Sequence, residues 1–291
     1  MKRVRHAGLL LAVVVSGVAM SLSTAQEKPA TPAQQYQALT KEFSAASSSF
    51  WQETNQQRQA AVDRAEKLPQ KFLELAENNP KDPIALDALM QVVSVEYWLN
   101  THTSHPGWGK ESPQAKAIAQ MLRDHIESEK LGEACRRVHY NFHKEGEMFL
   151  RTVLEKSPHR EVQGVACLRL AQFLPNRLDR LDLLVAQPEL ARRYEDLYSK
   201  EYLETLRRQD RGKVLREAES LYERAIEKYS DVKLPYDVTV GDQARTELFE
   251  IRYLAIGKEA PEIEGVDQEG QPLKLSDYRG KVVLLYFWTE F

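Results

Sequence analysis

The sequence has few cysteines, few turn-forming residues and no excess of positive charge. Two cysteines in 291 residues are too few for a framework of disulfide bonds. Glycine and proline number only 13 each, which disfavours a β-sandwich or barrel and favours long helices. Lysine and arginine number 40 against 43 aspartates and glutamates, a formal net charge of −3, so the charge balance indicates no nucleic-acid partner.

Length and hydrophobic content indicate a folded protein of about two domains. A single hydrophobic core rarely organises more than ~250–300 residues, and this chain has 291. Hydrophobic residues make up 42% and charged residues 29%, as is typical of a soluble globular protein.

The first 25 residues have the pattern of a secretory signal peptide. Lys2, Arg3 and Arg5 form a basic start, residues 7–20 are an apolar run, and residues 23–25 (Ser-Thr-Ala) offer small side chains for cleavage. The run of 14 residues is shorter than the ~20 that a transmembrane helix needs. A retained membrane anchor is the alternative. We therefore predict an exported protein of the periplasm or cell envelope, with no membrane span after cleavage.

Cys135 and Cys167 lie in sequence contexts that favour helix. A free cysteine in such a context is usually a small apolar core residue. A disulfide bond between neighbouring helices is the alternative in an oxidising compartment. Neither cysteine is part of a Cys-x-x-Cys pair, so the sequence contains no visible redox dithiol.

From residue 26 to residue 256 the sequence predicts one helix after another. Apolar residues recur at helical spacing, and prolines and short polar stretches separate the runs. Helices are predicted near residues 32–67, 70–78, 82–99, 113–128, 131–156, 160–174, 178–186, 188–206, 213–229 and 241–255. The fold class is therefore mainly α.

Some of these predicted helices form pairs that look alike. Residues 72–88 align with residues 150–166, and residues 222–229 repeat the first half of that unit. The pairs resemble tetratricopeptide repeats, although the Trp, Leu-Gly and Tyr positions of that family are not all filled. Small residues occupy the close-packing positions Ala76, Ala85, Ala88, Ala166, Ala225 and Ala244.

This resemblance implies an irregular TPR-like helical-repeat domain over residues 26–256. Stacked helix pairs usually present a concave surface to a partner protein or peptide. A scaffold without a ligand of its own is consistent with the same residues.

His139 and His143 are the most suggestive metal-ligand candidates. They lie at i and i+4 of the predicted helix 131–156, a spacing that can chelate a metal ion, with Glu145 and Glu147 nearby. Tyr140 replaces the glutamate that follows the first histidine in the zinc-protease motif. We therefore interpret the pair as part of an exposed helix face.

A second group of histidines lies in the predicted loop of residues 102–109, where Trp108 either packs on the helices or meets a ligand. The residues do not distinguish these two roles. The sequence identifies no catalytic, cofactor-binding or metal-binding residue, and no cofactor is predicted.

The pattern changes after residue 256. Residues 257–261 end the helix, and residues 262–266 and 273–275 are predicted as two strands that flank a turn. Gly270 lies in that turn, at a position that requires a positive φ. Residues 282–288 (Val-Val-Leu-Leu-Tyr-Phe-Trp) are consecutive apolar residues, as in a central strand buried on both faces.

This segment, residues 257–291, resembles the start of the redoxin family. That family has the thioredoxin fold and includes alkyl hydroperoxide reductase/thiol-specific antioxidant proteins and exported thiol-disulfide oxidoreductases. The matching blocks are Gly257-Lys-Glu-Ala-Pro, Asp267 to Gly270, Leu275-Ser-Asp-Tyr-Arg-Gly-Lys, Val282-Val-Leu-Leu and Phe287-Trp288. The resemblance implies a β-hairpin and the first central strand of a thioredoxin-like α/β fold.

In the redoxin family, Phe-Trp and three further residues lead into Cys-x-x-Cys at a helix N-terminus, where the helix dipole lowers the pKa of the attacking thiol. Residues 287–291 occupy the five positions before that cysteine. The resemblance therefore implies a domain truncated just before a Cys-x-x-Cys or selenocysteine-x-x-Cys site. A misread selenocysteine codon, a nonsense mutation and an arbitrary sequence boundary all remain open.

We therefore expect an exported redoxin-domain protein that is inactive as given. An intact parent would act on thiol or disulfide protein substrates, as a disulfide reductase or a peroxidase. The alternative is a non-catalytic helical-repeat module that binds a protein partner in the periplasm.

Overall fold

A computed structural model describes residues 29–52, 54–102, 112–139 and 142–289. The predicted signal peptide and the loop of His105 and Trp108 lie outside these residues. Within them, no helix combines the length and the apolar composition needed to cross a membrane. The chain divides into two units, Met1–Thr31 and Pro32–Phe291, and all described helices and strands lie in the second.

The described structure is 73% helical, with one small sheet near the C-terminus. The α-helices are α1 Pro32–Gln52, α2 Asn55–Ala65, α3 Leu68–Asn78, α4 Ile84–His102, α5 Pro113–Asp124, α6 Leu131–Val138, α7 Lys144–Lys156, α8 Arg160–Ala186, α9 Pro188–Tyr198, α10 Lys200–Arg207, α11 Arg211–Tyr229 and α12 Val240–Phe249. A π-helix, Glu250–Leu254, follows α12. Strands β1 Glu264–Val266 and β2 Pro272–Lys274 form the sheet. The predicted mainly α fold with a partial α/β part is confirmed.

One hydrophobic core extends through most of the helices. Its largest fully buried side chains include Phe72, Leu89, Phe149 and Tyr222. All six alanines predicted at close-packing positions are fully buried, because helices approach closely only where side chains are small. Whether the helix pairs form a TPR-like repeat, and whether a domain ends at residue 256, stay predictions.

A second, smaller cluster of buried side chains lies where the C-terminal half of α8 packs with α9 and α10. Its buried members are Phe142, Leu178, Leu181, Leu184, Leu203 and Leu206. Phe142 precedes α7 and packs against these later helices.

Three helices predicted as continuous, over residues 32–67, 131–156 and 188–206, are divided. The prediction over residues 32–67 is wrong because a new helix begins after Thr54, whose N–H and hydroxyl groups donate to the Gln57 side chain over 3.1 and 2.8 Å. The prediction over residues 188–206 is wrong because Ser199 adopts a φ of 65°. Its hydroxyl oxygen accepts a hydrogen bond from the N–H of Tyr202 over 3.3 Å and caps α10.

At Pro175 a predicted break between two helices is absent. The sequence predicts a break between helices 160–174 and 178–186, whereas α8 continues through the proline. A proline inside a helix removes one backbone hydrogen bond and costs about 3 kcal/mol. The residues before Pro175 are buried in the main core and those after it in the second cluster, and this burial on both sides holds the helix together.

Gly241 permits the closest approach between α12 and the end of α11. A Cβ atom built on Gly241 would lie 2.0 Å from Ser230 Oγ and 2.8 Å from Ser230 Cα. No side chain fits at that position, so α12 packs against the preceding turn only because residue 241 is glycine.

Candidate functional site

The C-terminal segment begins with an antiparallel hairpin of β1 and β2. Glu264 pairs with Lys274 and Val266 with Pro272. The Lys274 ammonium group lies 2.6 Å from the Glu264 carboxylate across the two strands. The N–H group of Leu275 extends the ladder by donating to the carbonyl oxygen of Ile263 over 2.9 Å. The hairpin predicted from the sequence is confirmed.

The turn of the hairpin is fixed by Asp267. Its Oδ1 atom accepts hydrogen bonds from the backbone N–H groups of Glu269, over 3.0 Å, and Gln271, over 2.8 Å. Gly270 has a φ of 78°, a conformation that glycine adopts without steric cost. The predicted turn, with glycine at its positive-φ position, is confirmed.

Local hydrogen bonds also hold the chain after β2. Glu262 Oε1 accepts a hydrogen bond from the N–H group of Ser276 over 3.0 Å. Hydrogen bonds donated by Ser276 and by the N–H group of Ile263 lower the pKa of Glu262, since they stabilise its charged form. A short 3-10 helix, Leu275–Tyr278, follows.

Residues 282–288, termed here the apolar segment, are exposed. Val282 is 104% and Leu284 92% exposed, while Val283 and Leu285 are 42% and 47% exposed. Their backbone groups form no hydrogen bonds to other described residues. The prediction of a buried central strand is therefore not met in the described part of the chain, because a strand becomes central only when neighbouring strands pair with it.

Both cysteines are free and fully buried. The Cys167 thiol donates a hydrogen bond to the carbonyl oxygen of Leu221 over 3.3 Å. Burial raises the pKa of Cys135 to about 12 and that of Cys167 to about 11. The interpretation as core residues is confirmed, the alternative of a disulfide bond is wrong, and neither thiol is a nucleophile at neutral pH.

His139 and His143 do not share a helix face. The predicted helix 131–156 is interrupted, so His139 follows α6 and His143 precedes α7. Each residue is only 6% exposed, and the prediction of an exposed face is wrong. Burial lowers the pKa of His139 to about 4 and that of His143 well below its usual value. Both imidazoles are therefore neutral at pH 7.

A buried ion pair that the sequence does not predict lies next to this break. The Arg177 guanidinium on α8 is 3% exposed and donates to the Glu147 carboxylate on α7. Glu147 also accepts from Arg151 over 2.7 Å. Burial acts to raise the pKa of Glu147, but the two arginines outweigh it and hold the pKa below its usual value. Only the i, i+4 spacing of Glu147 and Arg151 was visible in the sequence.

In the described ranges, no group of three or more His, Cys, Asp or Glu side chains is arranged to hold a metal ion. A cleft of about 630 Å³ lies between α7, α8 and α11 and is termed here the α7–α11 cleft. Its lining residues are Arg151, Leu154, Glu155, Gln163, Leu170, Glu217, Ser220, Leu221 and Arg224. The lining residues of α11 recur at helical spacing. The sequence shows this spacing, but residues that face a core recur in the same way.

The comparisons with known proteins concern the C-terminal segment. The model of the AhpC/TSA family matches residues 256–291. No curated protein and no solved structure shows significant similarity to the chain. The match covers the hairpin, its Asp267 turn and the apolar segment, in agreement with the blocks identified in the sequence. Residues 256–291 are a partial redoxin segment of the AhpC/TSA family.

Proposed function

We propose that this protein belongs to an exported system of thiol chemistry. The redoxin segment begins the domain that performs thiol–disulfide exchange or peroxide reduction, and the helices present protein substrates or partners to it. The observation that carries the proposal is the family match over residues 256–291, together with the hairpin and the unpaired apolar segment that these residues form.

The proposal places the reacting group outside these 291 residues. Redoxin chemistry requires a thiolate or selenolate as the attacking group. Cys135 and Cys167 do not supply it, because burial raises the pKa of both and shields them from substrates. A Cys-x-x-Cys or selenocysteine-x-x-Cys pair that follows the apolar segment would supply it, and the apolar segment would then lie in the centre of the completed sheet.

An activity assay tests whether the 291 residues lack the reacting thiol. We expect the purified 291-residue chain to reduce insulin and consume hydrogen peroxide no faster than its Cys135→Ala/Cys167→Ala variant. Activity of the parent chain above that thiol-free control would contradict the proposal.

Sequencing the transcript beyond codon 291 tests whether the proposed reactive pair follows the apolar segment. We expect an in-frame Cys-x-x-Cys, or UGA followed by two codons and a cysteine codon, and then about 100 further codons, as a thioredoxin-sized domain requires. The absence of a redoxin-like continuation in frame would contradict it.

Export is part of the same proposal. The basic and apolar pattern of residues 1–25 supports secretion to the periplasm or envelope. Mass spectrometry of the protein from the periplasmic fraction should find an N-terminus at Gln26. An unprocessed N-terminus in the cytoplasmic fraction would contradict export.

A second candidate function is a helical module that binds a protein partner without catalysis. Its support is that the buried core ends at Leu248 and draws no fully buried side chain from residues 256–289. Deletion of residues 257–291 should leave the Tm of the remaining chain unchanged. A large fall in Tm would show that the helices need the redoxin segment and would argue against an independent module.

A further inference from the structure

Three helices form the α7–α11 cleft, and α8 lies between the other two. It runs antiparallel to α11, since Cys167 donates to the Leu221 carbonyl oxygen and the Tyr229 hydroxyl group donates to Gln163 Oε1 over 3.2 Å. Leu154 and Leu221 are largely buried and form part of an apolar floor. The volume of about 630 Å³ lies within the range of ligand pockets.

The length of the cleft follows from its wall on α11. Glu217 and Arg224 both line it and lie seven residues apart, which corresponds to about 10 Å along a helix axis. An extended peptide rises about 3.3 Å per residue. The cleft therefore has room for about three residues of an extended chain.

The charged side chains at one end of the cleft are paired, and those at the other end are not. At one end, the Arg151 guanidinium donates to Glu217 over 2.6 Å and also to Glu147, so these charges are neutralised. At the other end, the Arg224 guanidinium has no ion-pair partner among the described residues, and its Nε atom has no hydrogen-bond acceptor. Lys228 lies one turn further along α11 and is exposed.

An unpaired arginine on a protein surface is usually solvated and needs no partner. Arg224 differs because its residue is half-buried and its Nε atom is shielded from solvent without a hydrogen-bond acceptor. A partly desolvated guanidinium gains more from a carboxylate than a solvated one does. Glu155, the acidic residue in the lining, is exposed and forms no ion pair with Arg224.

We propose that the α7–α11 cleft binds a short extended peptide segment in which a carboxylate side chain is flanked by apolar residues. The carboxylate pairs with Arg224, and the apolar side chains lie over Leu154 and Leu221. This inference rests on the second proposed function, because it names the chemistry of the partner that the helical module would bind.

Defined peptides test the proposal in the full 291-residue chain. The probes are Ac-Ala-Leu-Glu-Leu-Ala-NH2 and its variants with Gln or Lys at the centre, titrated into ¹⁵N-labelled protein with the amide signals of the cleft as readout. We expect the Glu peptide to bind about fivefold more tightly than the Gln peptide. We expect Arg224→Gln to abolish this preference.

Arg216→Gln is the matched control, since Arg216 is exposed on the same helix and does not line the cleft. It should retain the full preference for the Glu peptide. Equal affinities for the three peptides, absence of amide shifts in the cleft, or a preference that survives Arg224→Gln in a folded variant would each overturn the proposal.

Failure of the cleft proposal can be distinguished from failure of either proposed function. The peptide titration involves no thiol or peroxide, so it is independent of the redoxin assays. If deletion of residues 257–291 lowers the Tm while the Glu peptide still binds through Arg224, the independent module is wrong and the cleft assignment stands.

Discussion

The hydroxyl group of Tyr202 donates a hydrogen bond of 2.9 Å to the backbone carbonyl oxygen of Phe142. This bond joins α10 to the connection between α6 and α7, 60 residues earlier in the chain. The Phe142 ring also packs edge-on against Tyr194 and Tyr198, with centroid separations of 5.5 and 5.1 Å. The break between α6 and α7 is therefore held by residues far away in sequence.

Tyr202→Phe should lower the free energy of unfolding by about 1 kcal/mol, the usual contribution of one hydrogen bond that leaves a buried acceptor unpaired. Urea denaturation measures the effect. Tyr236→Phe is the matched control. Tyr236 is 97% exposed, so the loss of its hydroxyl group should leave the free energy of unfolding unchanged. Equal effects of the two substitutions would contradict a structural role for the Tyr202 bond.

Glu147→Gln should lower the free energy of unfolding much more than Tyr202→Phe does. It leaves the Arg177 guanidinium, which is 3% exposed, without a negative charge, and breaking a buried pair in this way costs about 3–5 kcal/mol. Urea denaturation again measures the effect. Glu155→Gln on the same helix removes an exposed carboxylate that forms no ion pair, and we expect a change within about 0.5 kcal/mol. If the two variants unfold alike, the pair does not stabilise the fold.

Glu96 should make stability fall as the pH rises towards 8. Its side chain on α4 is buried, and this burial raises its pKa from 4.5 to about 8. Between these two values the folded protein holds a proton that the unfolded chain releases. Stability contributed by the protonated carboxyl group is therefore complete below pH 4.5 and is lost as the pH approaches 8.

The window from pH 6.5 to 8 lies above the pKa of glutamate in the unfolded chain, and the Glu96→Gln control contains the same histidines, so the effect of their titration cancels in the comparison. The wild-type free energy of unfolding should fall by about 2 kcal/mol across this window relative to Glu96→Gln, which has no group to ionise. Parallel pH profiles of the two proteins, measured by urea denaturation, would show that Glu96 has an ordinary pKa.

Val282→Lys/Leu284→Lys should reduce self-association of the 291-residue chain without changing its Tm. Both side chains are almost fully exposed in an apolar stretch with unpaired backbone groups, a composition that promotes strand pairing between molecules. Light scattering at increasing concentration measures association. Gln268→Lys/Gln271→Lys adds the same charge at exposed positions in the hairpin turn and should leave association unchanged. If it suppresses association equally, net charge and not the apolar segment is responsible.

The features that depend on local interactions were predictable from the sequence. The Asp267 turn forms because the carboxylate and the backbone groups it binds lie within four residues of each other, and Gly270 is the residue that takes a positive φ without cost. The six buried alanines were also predictable, since helical periodicity places them on the packed faces. The redoxin blocks were recognisable for the same reason: each is a short, ordered stretch of residues.

The features that depend on distant residues were not predictable, because they arise from tertiary packing. The helix continues through Pro175 because two separate clusters bury its two halves, and α6 ends before His139 because Phe142 packs against α9 and α10. Tertiary packing also buries both histidines and places Arg177 beside Glu147. Burial free energies of several kcal/mol outweigh helix propensities of less than 1 kcal/mol per residue, and the packing partners are tens of residues apart in the sequence.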